Sequence, residues 1–412
     1  MATRTMTALQ KACEDVREGT AAEGVLGVAP TYVAAPATVA EAGEVMRVAA
    51  ERGLTVIPRG GETRLDWGRP PAGCDLLVDT VRLDRIIEHA AGDLVVKVEA
   101  GLTMERLAEP LAAQGQQLAL DTPLPGSTVG GTLATAAAGP RRLFYGSGRD
   151  LLIGVTIVRA DGTIAKSGGK VVKNVAGYDL GKLLTGSYGT LGLIVEAAFR
   201  LHPLPDAQAY VTRTVPDPAG AHQAVQAVLH SAVVPSAIEV DAPAGGPVTV
   251  AVLVEGLAES MPPRGAEVAR LLGGEAAVLP EPPPWWGRYP DDSTLIEVVA
   301  PPTALTDVLA LAGADGRDAP AGASVRGSAG TGNWQVGVPA ETPPGQVGGL
   351  LAGLRATLAP HRGGAVVRYA PEAVRDEIDF WGPVPALPLM RAVKDQFDPG
   401  RRLSPGRFVG GI

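Results

Sequence analysis

The spacing of apolar residues along the chain predicts where its first helices and strands lie. Between Thr38 and Gly53 apolar residues recur every three or four positions, with threonine at the start and glycine at the end, which predicts an amphipathic helix. Alternation of strand and helix then continues to about residue 101 and indicates a small α/β lobe with parallel pairing. The predicted elements are strands at 54–57, 75–80 and 93–100 and a helix at 103–114.

The pattern changes after residue 150. Residues 151–168 read as two strands around Asp161-Gly162, a favoured tight-turn pair, so the second lobe is predicted to be antiparallel. From residue 206 the pattern suggests two β-α-β-β-α-β-like units, with an antiparallel sheet and helices on one face. Their predicted strands are 209–215, 237–241, 248–255, 295–300, 334–338 and 365–369, and their helices are 219–230, one ending near 272, one near 304, and 345–358.

Composition narrows the class of protein. The chain has 412 residues, enough for two domains, with 46% hydrophobic and 19% charged residues. Its formal net charge of −8 argues against a nucleic-acid or anionic-membrane partner, since neither would attract it at long range. No signal-peptide pattern and no run of 18 apolar residues occurs, so direct membrane insertion is not expected. A cytoplasmic location is expected instead.

A glycine- and proline-rich stretch, Asp121–Gly131 (DTPLPGSTVGG), leads into small residues up to Gly139. Proline fixes φ and glycine admits positive φ, so such a turn can direct several backbone N–H groups at one anion. The Ser127 and Thr128 hydroxyls and the positive end of a helix dipole would add to that field. The alternative is a simple connector followed by a tightly packed helix.

A second loop of the same kind follows the strand at 54–57. It reads Pro58-Arg59-Gly60-Gly61-Glu62-Thr63-Arg64, with two arginines that can supply positive charge. A strand that ends in paired glycines can bring bare N–H groups up to a phosphate. We therefore expect a valine at Gly61 or Gly130 to abolish binding of the anionic ligand, because valine cannot adopt a positive φ and its side chain would occupy the space of the phosphate.

Three motifs in this order carry a family resemblance. They are PRGGETR at 58–64, PLPGSTVGGTLATAAAG at 123–139 and GGKVVKNVAGYDLGKLLTGSYGTLGLI at 168–194. The stretch from about 32 to 205 resembles the FAD-binding domain of the vanillyl-alcohol oxidase and p-cresol methylhydroxylase type, and FDPGRRLSPGR at 397–407 extends the likeness. Within that family the chain is most similar to the FAD-binding E subunit of bacterial glycolate oxidase, a relative of the D-lactate dehydrogenases.

The resemblance implies an α+β chain in three parts. These are a two-lobed p-cresol methylhydroxylase-type FAD-binding domain over 1–205 (core 30–205), an α+β substrate or cap domain with an antiparallel sheet over 206–385, and a tail over 386–412 that packs on the FAD domain. Some relatives attach FAD covalently through a histidine in the first loop, where this chain has Glu62, so non-covalent FAD is expected. The implied cofactor-binding residues are Pro58, Arg59, Gly60, Gly61, Glu62, Thr63, Arg64, Pro125, Gly126, Ser127, Thr128, Val129, Gly130, Gly131, Asn174, Gly177, Tyr178, Gly189, Thr190, Gly192 and Ile194.

The catalytic residues are less marked. Oxidation of a 2-hydroxy acid needs an arginine for the carboxylate and a base for the hydroxyl proton. None of the five histidines is spaced as a metal ligand, so no metal site is expected, and Arg368 and Tyr369 at the end of a late strand are the candidates to face the flavin. A Rossmann fingerprint is missing, and Gly177–Lys182 is one residue short of a P-loop.

These observations predict the FAD-binding subunit of a glycolate oxidase-type 2-hydroxy-acid dehydrogenase, acting on glycolate or D-lactate. Two cysteines cannot hold an iron–sulfur cluster, so electrons must leave through a partner or by direct reaction with a diffusible acceptor. The expected partners are a second FAD subunit and an iron–sulfur subunit, at the inner face of the membrane. One alternative is a self-sufficient FAD-dependent dehydrogenase. Another is a structural subunit that retains the fold without its own catalysis.

Overall fold

The structure, a computed structural model, describes residues 2–169, 179–290, 292–313 and 322–412. Contacts divide the chain into two compact units, the first formed by residues 1–138, 147–204 and 384–412 and the second by residues 139–146 and 205–383. Residues 139–146 were predicted to belong to the FAD domain but cluster with the second unit. The predicted boundaries of the functional domains stay a prediction.

The strands are numbered in chain order. They are β1 (Val16–Glu18), β2 (Tyr32–Ala34), β3 (Val56–Arg59), β4 (Leu76–Asp79), β5 (Ile86–Ala90), β6 (Val95–Glu99), β7 (Gln116–Gln117), β8 (Leu152–Val158), β9 (Ile164–Gly168), β10 (Leu193–Arg200), β11 (His202–Pro203), β12 (Ala207–Val215), β13 (Ala237–Ala242), β14 (Val248–Gly256), β15 (Ala277–Leu279), β16 (Thr294–Val299), β17 (Ser324–Ser328), β18 (Asn333–Val338) and β19 (Gly364–Tyr369).

The helices follow the same order, and none of those described is long and apolar enough to cross a lipid bilayer. They are α1 (Ala2–Ala12), α2 (Val39–Arg52), α3 (Met104–Ala112), α4 (Val129–Thr135), α5 (Arg142–Tyr145), α6 (Gly148–Leu151), α7 (Leu180–Leu184), α8 (Pro218–Leu229), α9 (Met261–Leu272), α10 (Leu305–Leu311), α11 (Pro344–Leu358), α12 (Glu372–Glu377) and α13 (Leu387–Phe397).

The first lobe of the first unit is a four-stranded sheet in the order β1-β2-β4-β3. β3 pairs parallel with β4, as predicted, and the unpredicted β2 also pairs parallel with β4, while β1 adds an antiparallel edge. The third strand predicted for this lobe, 93–100, is instead β6 of the antiparallel second lobe, so its assignment to the parallel lobe is wrong, because alternation along the chain does not fix which strands pair. The predicted helix α2 is confirmed with both of its ends: the Thr38 hydroxyl accepts from the Glu41 N–H, and Gly53 adopts φ 66°. Val45, Met46 and Ala49 bury one face of α2 in the core of this lobe.

The second lobe is a five-stranded antiparallel sheet in the order β5-β6-β10-β8-β9. The predicted hairpin is β8–β9, and Gly162 takes φ 87° in its turn. β5 and β10 were not predicted. The β10 sequence LIVEAAFR is buried at six of its eight positions, so it lacks the alternation that reveals a half-exposed strand.

The second unit contains one eight-stranded sheet in the order β15-β12-β14-β13-β17-β18-β16-β19. It is built from two β-α-β-β-α-β units, β12 to β15 and β16 to β19, so that prediction is confirmed. The units have the same strand order and meet edge to edge at β13 and β17. Val211, Val240, Val250 and Trp334 lie with α8 to α11 in one large apolar core on one face of the sheet.

The C-terminal segment belongs to the first unit and runs along β3 there. Val56 donates to the Arg402 carbonyl at 2.8 Å, and Ser404 donates to the Val56 carbonyl at 2.8 Å. A buried ion pair fixes the segment: Lys394 Nζ lies 2.7 Å from Asp398 Oδ2 and donates to the carbonyls of Thr190 and Leu403. The side chains of this pair are 1% and 0% exposed, so its charges compensate each other out of water.

Breaking this pair should destabilise the first unit. We expect Lys394→Met to lower the free energy of unfolding by about 3–5 kcal/mol, because the Asp398 carboxylate would stay buried without its counter-charge. The matched control is Arg401→Gln in the same segment, whose ion pair with Asp395 is about half exposed and contributes about 0–1 kcal/mol. Denaturant unfolding of both variants measures the difference, and equal midpoints would refute the assignment.

Candidate flavin site

A single cleft in the first unit collects most of the residues predicted to bind the cofactor. The first loop lines it completely from Pro58 to Arg64, and the other motifs contribute Thr128, Gly130, Gly131, Gly189, Gly192 and Ile194. Pro125, Gly126, Ser127, Val129 and Thr190 are not among its lining residues. Asn174, Gly177 and Tyr178 lie outside the described residues.

The first loop presents unused backbone donors to this cleft. Over the described part of the chain, the N–H groups of Gly60, Gly61, Glu62 and Thr63 donate to no protein acceptor. Glu62 adopts φ 60°, and a left-handed residue within such a run turns neighbouring N–H groups toward one concavity. Gly61 and Glu62 are exposed and Gly60 and Thr63 are half-buried, so these N–H groups are open to a ligand, and their grouping around a left-handed residue suits an anion.

The two predicted loops pack directly on each other. A Cβ on Gly60 would lie 2.4 Å from the Thr128 hydroxyl oxygen, and one on Gly61 would lie 2.1 Å from the Gly126 carbonyl oxygen. Neither Gly61 nor Gly130 has a positive φ, so the expected conformational reason for these glycines is wrong. The glycines are required because the Gly126 carbonyl at Gly61 and the Thr128 side chain at Gly60 leave no room for a Cβ.

The second loop is held by the protein and offers fewer donors than predicted. Val129 and Gly130 donate to the carbonyls of Leu102 and Ala100 at 2.9 and 2.7 Å, and Gly131 donates to the Thr128 hydroxyl at 3.2 Å. The N–H groups of residues 129–131 therefore already have protein acceptors and are not free donors, while the predicted cofactor contacts of this loop stay a prediction. The loop instead forms a wall against which the first loop rests.

Ser127 and Gly126 have structural partners as well. Ser127 is fully buried, and its hydroxyl accepts from Arg64 Nη1 at 3.0 Å and donates to the Leu124 carbonyl at 2.5 Å. The Gly126 N–H donates to Glu105 Oε1 at 3.0 Å. These contacts fix the Pro-Gly-Ser turn and, through Arg64, connect it to the first loop.

The two arginines of the first loop are in different environments. Arg59 is 8% exposed and meets three carboxylates: Asp79 at 2.6 Å, Glu62 at 3.1 Å and Glu23 at 3.3 Å. Its charge is thus compensated within the protein. Arg64 lies over the Trp67 ring, with the guanidinium carbon 5.5 Å from the ring centroid, in addition to its bond to Ser127.

The third motif and the C-terminal segment complete the lining. Tyr188, at φ 55°, lies beside Gly189, while the Thr190 carbonyl accepts from Lys394 and the Thr190 hydroxyl donates to the Ser187 carbonyl. Several lining residues were not predicted from the sequence: Ile57, Leu65, Thr80, Ala134, Thr135, Tyr188, Leu193, Ser404 and Arg407. Two of these, Ser404 and Arg407, belong to the FDPGRRLSPGR motif, which was the available signal.

Arg368 and Tyr369 lie in the second unit, at the end of β19. Arg368 Nη2 donates to Glu297 Oε2, and Glu297 Oε1 accepts from Asn333 at 3.2 Å. Burial is the largest single influence on Glu297 and opposes its ionisation, but the charges of Arg368 and Arg142 and the hydrogen bonds from Asn333 and Arg368 together lower the pKa of the carboxyl group. The Tyr369 hydroxyl donates to the Asp292 carbonyl at 3.1 Å, so each candidate already has a protein partner.

The fold and the sequence together define the class of protein. Residues 30–168 match the FAD binding domain family, so the chain carries an FAD-binding domain and FAD is its cofactor. A carbohydrate oxidase from Microdochium nivale superposes with TM-score 0.72 over 97% of both chains at 16% identity, and a chitooligosaccharide oxidase with 0.70 over 98% of both at 17%. The predicted p-cresol methylhydroxylase-type fold is confirmed.

Curated relatives give a more particular similarity. The glycolate oxidase subunit GlcD of Bacillus subtilis is 31% identical over 51% of this chain and 45% of its own length. The subunit GlcE of Escherichia coli is 36% identical over 39% of this chain and 46% of its own length. A D-2-hydroxyglutarate dehydrogenase of Xanthomonas citri is 35% identical over 43% of this chain and 38% of its own length. The chain is thus related to FAD-dependent oxidoreductases, and each match spans less than half of the relative.

Gly61→Ala tests the contact between the two loops. The added methyl group clashes with the Gly126 carbonyl, and overpacking of this kind costs about 1–3 kcal/mol. Part of this cost falls on the bound geometry, so we expect FAD to bind about tenfold more weakly, as followed by flavin fluorescence. Gly92→Ala is the control, because a Cβ there meets nothing within 4 Å. Unchanged affinity in a folded Gly61→Ala protein would contradict the packing argument.

Proposed function

We propose that this chain is the FAD-binding subunit of a glycolate oxidase-type complex that oxidises a small 2-hydroxy acid such as glycolate or D-lactate. The observation that carries the proposal is the run of unused N–H donors at Gly60 to Thr63, in a cleft of a domain that matches an FAD-binding family. The similarity to GlcE and GlcD supports the choice of complex and of substrate class.

The chemistry divides between cofactor and protein. FAD supplies the acceptor for the hydride that leaves the carbon bearing the hydroxyl group. The first loop holds the diphosphate through its N–H groups, since these donors have the geometry for phosphate oxygens. Glycines at 60 and 61 allow the loop to meet the Pro-Gly-Ser turn, so the diphosphate site is formed before the cofactor arrives.

The cofactor is proposed to be held without a covalent bond. Glu62 stands where a histidine would attach the flavin, and its carboxylate lies 3.1 Å from Arg59 Nη1. A carboxylate engaged with a guanidinium does not form the flavin link of the histidyl relatives. FAD should therefore dissociate when the fold is lost.

For substrate binding, Arg368 and Tyr369 remain the proposed residues. A substrate carboxylate at Arg368 would compete with Glu297, which holds that guanidinium now. Exchange of one carboxylate for another keeps the arginine charge compensated, and it sets a selectivity for anionic substrates. The proton-accepting base is proposed to come from a larger partner subunit.

Electrons must leave the reduced flavin. An iron–sulfur cluster needs about four thiolate ligands, whereas this chain has two cysteines, and both are buried. Burial raises the pKa of the Cys74 thiol to about 11, so it stays protonated and unreactive. We therefore propose a second FAD subunit and an iron–sulfur subunit as partners, in the cytoplasm at the inner membrane face.

The second candidate is a self-sufficient FAD-dependent 2-hydroxy-acid dehydrogenase. The observation in its favour is the 35% identity to a D-2-hydroxyglutarate dehydrogenase over 177 residues. A structural subunit without catalysis is the third, and it predicts a protein whose flavin is not reduced in the assembled complex.

Precipitation with acid tests the mode of cofactor attachment. We expect one FAD per chain in the supernatant and a colourless pellet, because no residue holds the flavin covalently. The measurement is the visible spectrum followed by chromatography of the released flavin, with a histidyl-flavin oxidase as the control. Yellow colour that stays with the pellet would disprove the non-covalent proposal.

Turnover with a dye acceptor separates the candidates. We expect the isolated chain to oxidise glycolate at least about 100-fold more slowly than the co-expressed complex, since general-base catalysis alone contributes about 10²- to 10⁴-fold. D-lactate and D-2-hydroxyglutarate are assayed in parallel. Equal rates for isolated chain and complex would reject the subunit proposal in favour of the self-sufficient dehydrogenase.

A further inference from the structure

Arg407 is a buried cation in the wall of the cleft. Its side chain is 4% exposed, and Nη2 donates to the carbonyls of Leu65 at 2.8 Å and Trp67 at 2.6 Å. The Arg407 carbonyl accepts from the Arg69 N–H at 3.1 Å. Both ends of the residue are therefore attached to the chain that follows the first loop, and its position is fixed.

The other end of the guanidinium group has no partner. Nη1 is buried and makes no hydrogen bond within the described part of the chain, and no carboxylate there forms an ion pair with Arg407. Burial lowers the pKa of Arg407 to about 10, which still leaves it protonated at neutral pH. Asp66 acts on this charge without forming an ion pair or hydrogen bond with it, and a buried charge without a bonded counter-ion costs several kcal/mol, so an anion is expected at Nη1.

Of the two arginines Arg59 and Arg407 in this cleft, only Arg59 forms ion pairs with carboxylates among the described residues of the protein. Arg59 lines the same cleft but is compensated by Asp79, Glu62 and Glu23. Arg407 is introduced instead by the C-terminal segment, next to Phe408, whose ring stacks on Tyr188 at 5.0 Å and 23°. This stacking and the two carbonyl contacts hold the guanidinium in place, so little side-chain entropy is lost on binding.

We propose that Arg407 binds the diphosphate of FAD through Nη1. This inference rests on the proposed binding of FAD in the cleft and adds the residue that supplies its positive charge. Within FAD, the diphosphate is the group that is permanently anionic, whereas the oxidised ring system is neutral. A guanidinium forms short, charge-assisted hydrogen bonds to phosphate oxygens.

The test compares two flavins on the same protein. Riboflavin has the ring system and the ribityl chain but no phosphate, so it reports the rest of the cleft. We expect Arg407→Gln to weaken FAD binding about 10- to 100-fold, the range of one charge-assisted hydrogen bond, and to change riboflavin binding less than about threefold. Arg407→Lys keeps the charge and should recover part of the FAD affinity.

The controls separate this inference from the function on which it rests. Arg401→Gln removes an exposed arginine of the same segment and should leave both affinities unchanged. If the wild-type chain binds no FAD, the proposed function itself fails. If Arg407→Gln binds FAD as tightly as the wild type, or loses FAD and riboflavin in equal proportion because the wall has loosened, the role of Arg407 in diphosphate binding is overturned.

Discussion

The close approach of two loops is the constraint on which the cofactor site depends. Gly61 lies so near the Gly126 carbonyl that a single methyl group does not fit, and Gly60 lies against Thr128 in the same way. Because the Pro-Gly-Ser turn occupies one side of the first loop, the N–H groups of residues 60–63 are left for a ligand. Packing of the polypeptide thus decides which backbone donors remain available, and the glycines permit that packing.

Much of the fold could be predicted from local patterns. α2 was found because its cap, apolar spacing and terminal glycine agree, and β8–β9 because Asp161-Gly162 favours a tight hairpin. β10 was missed since an evenly apolar strand has no period to detect. The pairing of β13 with β17, which joins the two halves of the eight-stranded sheet, depends on contacts between distant segments and has no local signal.

The candidate site shows a similar division. The motif at 58–64 lines the cleft along its whole length, but the ion pairs that compensate its first arginine were not predictable from the motif. Arg59 is compensated by Asp79 and Glu23, which lie 20 and 36 positions away in the sequence. The donors at 129–131 were assigned to an anion because their partners, the carbonyls of Leu102 and Ala100, become neighbours only in the folded chain.

The first unit is discontinuous in sequence, and this has a consequence for biosynthesis. Its last segment, residues 384–412, follows the whole of the second unit along the chain. Domains fold largely in the order in which the ribosome releases them. The first unit would therefore remain incomplete until translation has passed the second unit, because Leu403, which pairs with Val56 of β3, is synthesised only then. Loading of the cofactor into a complete cleft then becomes a post-translational event, and a chain interrupted before residue 384 would accumulate as an apoprotein.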